Sequence, residues 1–488
     1  MIFMAFSLAG YGLLTWWVSA QVGGIREEWL YTMGHLTLAA LLNVHLLYVA
    51  RRQRLSFLAC PPLALLVVSQ VYYTINGIKY FSPILLYPQF DLSLGQQFAG
   101  AMAGGGVLFL CSLLLYRQRA PTRQAMLDWL RRYWPDLRRV VIGSVVGSLL
   151  CKVVLILLGY GSAYTATEYN EHAVRSYGDY FVLLGNDVFG ALSLAFGTIY
   201  LCHPRVGRRR PLIYLLALAG VLLQVGYVLF YLKARMVVLL TAISLALAAE
   251  TISRRRAERA LQWLWLLLPP ASLLGVQLTL MIGRVNVPQE TGIRLAIGAV
   301  NRRADLTDFA TAMLIQSHGT AHDATIIPMA VLNAIPRVVF PGKATIVQDV
   351  YSRILERKLD WPAGSTQEDL EADYLDTSFS NGVMAFGAVG FVVVPLAIVW
   401  LIQVLTHWLA RTAHGAAYGV TLISLLIAAS HIEGEWAAIP FIFRQAALIG
   451  VLAGAILTIG RMGRHVLLVS TAAPASSPLA SAAPLPTS

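Results

Sequence analysis

The residues of this chain best suited to chemistry are cations set against apolar sequence. Lys233 and Arg235 fall in Leu232-Lys233-Ala234-Arg235, a connection so short that both must lie where two apolar runs meet water. Arg444 follows Ile439-Pro440-Phe441-Ile442-Phe443 inside a further apolar run. Arg294, Arg302, Arg303, Arg337, Lys343 and Arg353 belong to one long polar segment, where Arg337 is fixed beside Pro336 in a stiff turn. Several guanidinium groups aimed at one cavity suit a pyrophosphate, because each planar group donates two hydrogen bonds to phosphate oxygens. Blander roles compete. Lys233 and Arg235 could snorkel to lipid phosphates, and Arg444 could be half of a structural ion pair. Arg353, Arg357 and Lys358 read as the solvated face of a helix. Lys152, about 18 Å into its apolar run, has no evident partner in the sequence.

Metal and nucleotide chemistry find less support. His318 and His322 are four apart, but Gly319 and Thr320 interrupt the helix that would hold both imidazoles on one face. Glu368, Asp369, Glu371 and Asp373 form a solvated acidic face more readily than a hard-cation site. There is no Walker motif, dinucleotide fingerprint, HExxH pair or nucleophile elbow. No metal and no cofactor are expected.

The elements that must position these cations are membrane helices. Of 488 residues, 57% are hydrophobic and 13% charged, with a mean hydropathy of +0.64. A soluble protein carries about 25% charged residues. Val140–Leu158 and Phe391–Leu405 are apolar for most of a bilayer's thickness. Apolar windows predict twelve spans, near 2–20, 28–50, 55–76, 97–116, 140–160, 181–202, 211–231, 236–252, 261–283, 382–404, 416–432 and 437–460. The first lacks a basic n-region and a small-residue cleavage site, so a retained helix is expected. Cys60, Cys111, Cys151 and Cys202 all fall in or at the ends of apolar runs, as small packing residues rather than a disulfide framework.

Charge orients these spans. The connections 51–54, 117–139, 203–210, 253–259 and 405–415, with the tail from 461, hold 21 basic residues against three acids, Asp128, Asp136 and Glu258. By the positive-inside rule this side and both termini are cytoplasmic. The formal charge of +12 is therefore a topology signal, and the apolar runs exclude a nucleic-acid partner. Lys233 and Arg235 are then cations on the wrong side, which something must compensate.

The expected organisation is spans one to nine in 1–283, an external loop over 284–381, spans ten to twelve in 382–460, and a disordered Ala/Pro/Ser-rich tail over 461–488. Within the loop, Asp305–Gln316 has helical periodicity with an Asp-rich first turn, and Ala344–Leu359 reads as a second amphipathic helix. Together they suggest a small helical cap over the external mouth of the bundle. No internal repeat supports an inverted-repeat transporter.

This arrangement resembles bacterial O-antigen and exopolysaccharide repeat-unit polymerases of the Wzy type. The residues that carry the likeness are Lys233-Ala234-Arg235, Arg302-Arg303-Ala304-Asp305, and Ile335-Pro336-Arg337 with Pro341-Gly342-Lys343. Thr377-Ser378-Phe379-Ser380-Asn381-Gly382, running into Phe386-Gly387 and Gly390, completes it. The resemblance covers about 230–400 and implies an all-α polytopic membrane protein with a GT-C-like fold. It implies transfer of a glycan from undecaprenyl pyrophosphate to a sugar hydroxyl of a second lipid-linked repeat unit, without a metal. Arg235 and Arg337, with Arg303, Arg444 and Lys233, would hold the leaving pyrophosphate, and Glu435, Asp376 and His318 are candidates for the base. The implied place is the bacterial inner membrane, among membrane lipids, with a chain-length regulator and a flippase as further partners.

Two alternatives share the topology. O-antigen ligases usually show a histidine before the glycines that open the span after the loop, and Thr377–Gly382 has none. A polysaccharide or lipid exporter would line several spans with polar residues. Here span three carries no charge, span five only Lys152, and span eight only Glu250 at its end. That distribution favours an enzyme working at one face.

Overall fold

A computed structural model describes residues 26–56, 60–81, 92–117, 123–159, 177–202, 211–231, 249–281, 306–321 and 377–412, with isolated positions between 9 and 16, at 324, and between 451 and 459. Among these residues the chain is helical, with no strand. Helix α1 spans Arg26–Arg52 with Glu27 and Glu28 in its first turn and Arg51 and Arg52 in its last, charges that complement the helix dipole. Helix α2, Pro61–Asn76, opens on two prolines, which fit the first turn because it leaves their missing N–H groups unneeded. Helix α3, Leu94–Leu114, starts from a capping box. The Gln96 backbone N–H donates to Ser93 Oγ at 3.3 Å, and Ser93 N–H donates to Gln96 Oε1 at 2.9 Å.

The amphipathic α4, Arg123–Arg132, leads into α5, Trp134–Leu157. Helices α6, Tyr177–Cys202, and α7, Pro211–Tyr231, then pack in succession against α5. Helix α8 is Arg254–Met281, α9 is Asp308–Gln316, and α10 is Ser378–Thr412 with a break at Gly387. Four stretches are long and apolar enough to cross a membrane: Glu27–Arg52, Leu94–Arg117, Arg138–Leu157 and Ser378–Trp408. Helices also stand where apolar windows predict spans at 55–76, 181–202, 211–231 and 261–283. Most of the first window, most of 236–252, all of 416–432 and most of 437–460 lie outside the described residues, as does Ala344–Leu359.

One end of the bundle is rich in arginine. There Arg51 donates to Glu258 through Nη2 at 2.6 Å and Nε at 2.9 Å. Arg254 reaches the same carboxylate at 3.2 Å and the Ala50 carbonyl at 2.6 Å, fastening the end of α1 to the start of α8. Trp134 stacks on Tyr200 with centroids 5.3 Å apart, which joins the start of α5 to the end of α6. Deeper in the α5–α7 group, Lys152 Nζ donates to Asn186 Oδ1 at 2.7 Å and Gln224 Nε2 to Ser148 Oγ at 2.9 Å. Lys152 thus has a partner one helix away that its own sequence neighbourhood does not reveal. The four cysteines are free, with Cys60 and Cys111 buried.

Candidate functional site

The opposite end of the bundle holds the described part of the long loop. Helix α9 packs between α3 and α10, and Phe309, Ala310 and Met313 are no more than 2% exposed. It is therefore sunk into the helices rather than laid over them as a cap. Two glycines of α3 make the room. A Cβ on Gly100 would strike the Thr311 side chain, and one on Gly104 would strike Thr307. Gly104 is ten residues into α3, about 15 Å along its axis.

Charge fixes the register of this helix. Asp308, in the first turn of α9, forms an ion pair with Lys79, which stands in the 3-10 turn Lys79–Phe81 after α2. Both side chains are essentially without solvent, at 0% and 1% exposure. Such a pair persists because each charge would be far costlier alone. Lys79 Nζ also lies 5.3 Å from the centroid of the Tyr80 ring. Tyr80 in turn bonds His35 of α1, its hydroxyl 3.1 Å from Nδ1. The other ring nitrogen, Nε2, is 2.9 Å from the Tyr73 carbonyl. A carbonyl only accepts, so Nε2 carries the hydrogen and Nδ1 accepts from the Tyr80 hydroxyl. Burial, then the negative charge of Asp308, pushes the Tyr80 phenol well above its ordinary value, which keeps it protonated as a donor. The Tyr73 hydroxyl donates to the Ala101 carbonyl at 2.8 Å, tying α2 to α3 at the same level.

The start of α10 is joined to the start of α9. Thr377 Oγ1 donates to the Leu306 carbonyl at 2.9 Å and accepts from Ser380 N–H at 3.2 Å. Ser380 Oγ accepts from Thr377 N–H at 2.7 Å, the reciprocal arrangement of a helix cap. Thr377→Val keeps the shape but removes both bonds. It should lower stability by about 1–2 kcal/mol in chemical unfolding of the micelle-solubilised protein, whereas Thr377→Ser should not.

The far end of α9 docks on the break in α10. His318 N–H bonds the Ile315 carbonyl at 3.2 Å and Gly319 N–H the Leu314 carbonyl at 2.9 Å, a Schellman ending. His318, with φ 49°, takes the left-handed position, and Gly319 follows at φ 78°. The Gly319 carbonyl then accepts from Ala388 N–H at 3.0 Å, beside Gly387 at φ 62°.

Of the residues that the sequence nominates to hold the pyrophosphate or take the proton, His318 alone lies among those described. It is exposed, at the end of α9 remote from Asp308. Lys233, Arg235, Arg303, Arg337, Asp376, Glu435 and Arg444 lie outside the described residues. Sequence reasoning passes over Lys79, Asp308, Tyr80 and His35. Lys79 carries a usable signal, being a cation in a connection between apolar runs like Lys233 and Arg235. The buried pair is neutral overall and enclosed, so it holds elements together rather than meeting a substrate. No cluster of His, Cys, Asp and Glu able to hold a metal occurs among the described residues. No protein-family model, curated protein or solved structure matches this chain.

Proposed function

We propose that this protein is a bacterial inner-membrane glycosyltransferase that polymerises undecaprenyl-pyrophosphate-linked oligosaccharide repeat units at the external face. In this reading it has twelve spans in a GT-C-like arrangement, both termini are cytoplasmic, and the long loop serves the external site. The acceptor sugar hydroxyl attacks the anomeric carbon of the donor glycan as the bond to the pyrophosphate oxygen breaks. Arg235 and Arg337, with Arg303, Arg444 and Lys233, hold the charge that develops on the leaving pyrophosphate. Glu435, Asp376 or His318 takes the hydroxyl proton.

The observation that supports this most is the seating of α9. The described segment of the loop is anchored at its start, because Lys79 holds Asp308 and Thr377 holds Leu306. Arg303 stands three residues before Leu306, and Asp376 one before Thr377, so both candidates adjoin anchored chain. Rigid support of this kind is what a site needs to hold charge in fixed positions.

Arg235→Ala and Arg337→Ala test the assignment in a strain lacking the gene. Each should abolish high-molecular-weight polymer, and a lipid-linked single repeat unit should accumulate outside. Full-length polymer from both variants would remove these arginines from the mechanism. An exporter is the second reading, favoured by the polar contacts Lys152–Asn186 and Ser148–Gln224 across α5, α6 and α7. In that case the repeat unit accumulates on the cytoplasmic side.

A further inference from the structure

The arginine-rich end carries more than a topology signal. In the sequence, the 21 basic residues of the connections 51–54, 117–139, 203–210, 253–259 and 405–415 and of the tail from 461 are all arginines, while the five lysines, Lys79, Lys152, Lys233, Lys343 and Lys358, fall in other stretches. A topology signal requires positive charge only, and lysine supplies it equally. What distinguishes arginine is the planar fork that binds a phosphate through two donors. Arg52, Arg54, Arg117, Arg132, Arg255 and Arg256 are exposed, and none forms an ion pair with an acid among the described residues.

Arg54 makes the strongest case. Arg54 N–H bonds the Arg51 carbonyl at 3.1 Å and Leu55 N–H the Ala50 carbonyl at 2.9 Å, so α1 ends in a Schellman motif with Arg54 at φ 52°. Glycine is the ordinary occupant of that left-handed position, and a side chain there destabilises the fold. The chain carries an exposed guanidinium at a place where glycine would fold better.

The neighbours of these arginines specify the ligand. Arg51 and Arg254 share Glu258, which brings Arg255 and Arg256 beside the end of α1. Arg52 lies 5.8 Å over the ring of Tyr116, which brings in the end of α3 and Arg117. Exposed apolar side chains continue directly from this end, with Tyr48 and Leu41 along α1 and Trp263 and Leu267 along α8. A soluble anion or a nucleic acid has no use for those surfaces. A phosphodiester headgroup with two acyl chains does.

We propose that this end binds an anionic phospholipid, its phosphodiester held by Arg52, Arg54, Arg117, Arg255 and Arg256 and its acyl chains lying along α1 and α8. The inference is independent of the polymerase reading and of which side of the membrane this end faces.

The test is native mass spectrometry of the full-length protein released from zwitterionic micelles, with equal amounts of phosphatidylglycerol and phosphatidylcholine. Phosphatidylglycerol adducts should survive preferentially, and loss of one arginine should reduce them about fivefold. Arg54→Gly is the decisive variant. It should bind less phosphatidylglycerol while its thermal midpoint in lipid-free micelles holds or rises, which a merely structural arginine would not do. Arg52→Lys should also lose adducts, because a point charge does not replace the fork. Equal retention of the two lipids, or undiminished adducts with Arg54→Gly or Arg52→Lys, overturns the proposal. So does inorganic phosphate that displaces the lipid at matching concentration, which would mark a site for a small anion.

Discussion

Replacing Lys79 by Met should destabilise the protein by about 3–5 kcal/mol, because the Asp308 carboxylate is left in a space with no water. The carboxylate must then either stay charged without its partner or take up a proton, and either course costs free energy. The paired replacement Lys79→Met with Asp308→Leu should recover most of the loss, since similar volumes fill the site and no charge stays buried. Unfolding in mixed micelles against denaturant gives all three values. An unchanged midpoint for the single variant would mean that water reaches the pair, contrary to the 0% and 1% exposure of its side chains. The comparison also separates two roles. If the double variant is stable but loses the polymer synthesis proposed for this protein, assayed in a strain lacking the gene, the ion pair sets the register of α9 rather than the stability of the bundle.

Gly387 is the second position of large expected effect. Its φ of 62° with ψ of −143° lies where side chains are strained, at about 1–3 kcal/mol. Space is closed as well. A Cβ would strike the Gly319 carbonyl oxygen and come within 2.8 Å of the Thr320 carbonyl carbon and 2.9 Å of the Ala321 nitrogen. Gly387→Ala should therefore cost about 3 kcal/mol or more, strain and a lost Ala388–Gly319 bond together. Gly319→Ala provides the control. Its φ of 78° is equally left-handed, but its nearest neighbour is Ala388 Cβ at 3.7 Å. That variant should cost only about 1–2 kcal/mol. The difference between the two, read by the same unfolding experiment, measures the docking of α9 on α10.

Much of the helical architecture is legible because a run of twenty apolar residues has few other folded forms in a membrane. The windows at 28–50 and 97–116 fall on α1 and α3 to within three residues at each end. Ends are less clear. Helix α5 begins at Trp134, ahead of its apolar run, because Pro135 fits a first turn. Periodicity finds α9 but starts it three residues early, at Asp305 where the helix begins at Asp308 after Thr307. It also gives no hint of burial. Thr307 and Thr311 fit against α3 only because Gly104 and Gly100 stand there, some two hundred positions earlier. The ion pair is hidden for the same reason, as its partners are 229 residues apart and one sequence holds no record of contact. The glycines at 382, 387 and 390 look, in sequence, like the opening of a span. They are where that helix turns sharply, with Gly382 packed against the Gly390 carbonyl.

The two-sided seat of α9 also orders the protein's manufacture. Lys79, Gly100 and Gly104 are synthesised long before Asp308, so half of the socket waits in the growing chain. Thr377, which grips the Leu306 carbonyl, comes 71 residues after it, and Ala388 later still. A nascent chain that has just emitted α9 can pair its aspartate but cannot close either end of the helix. Closure waits for a part of the chain that also carries the next membrane crossing. An interrupted polypeptide, stopped anywhere before Thr377, therefore keeps an unsealed notch beside α3. That notch distinguishes unfinished copies from finished ones.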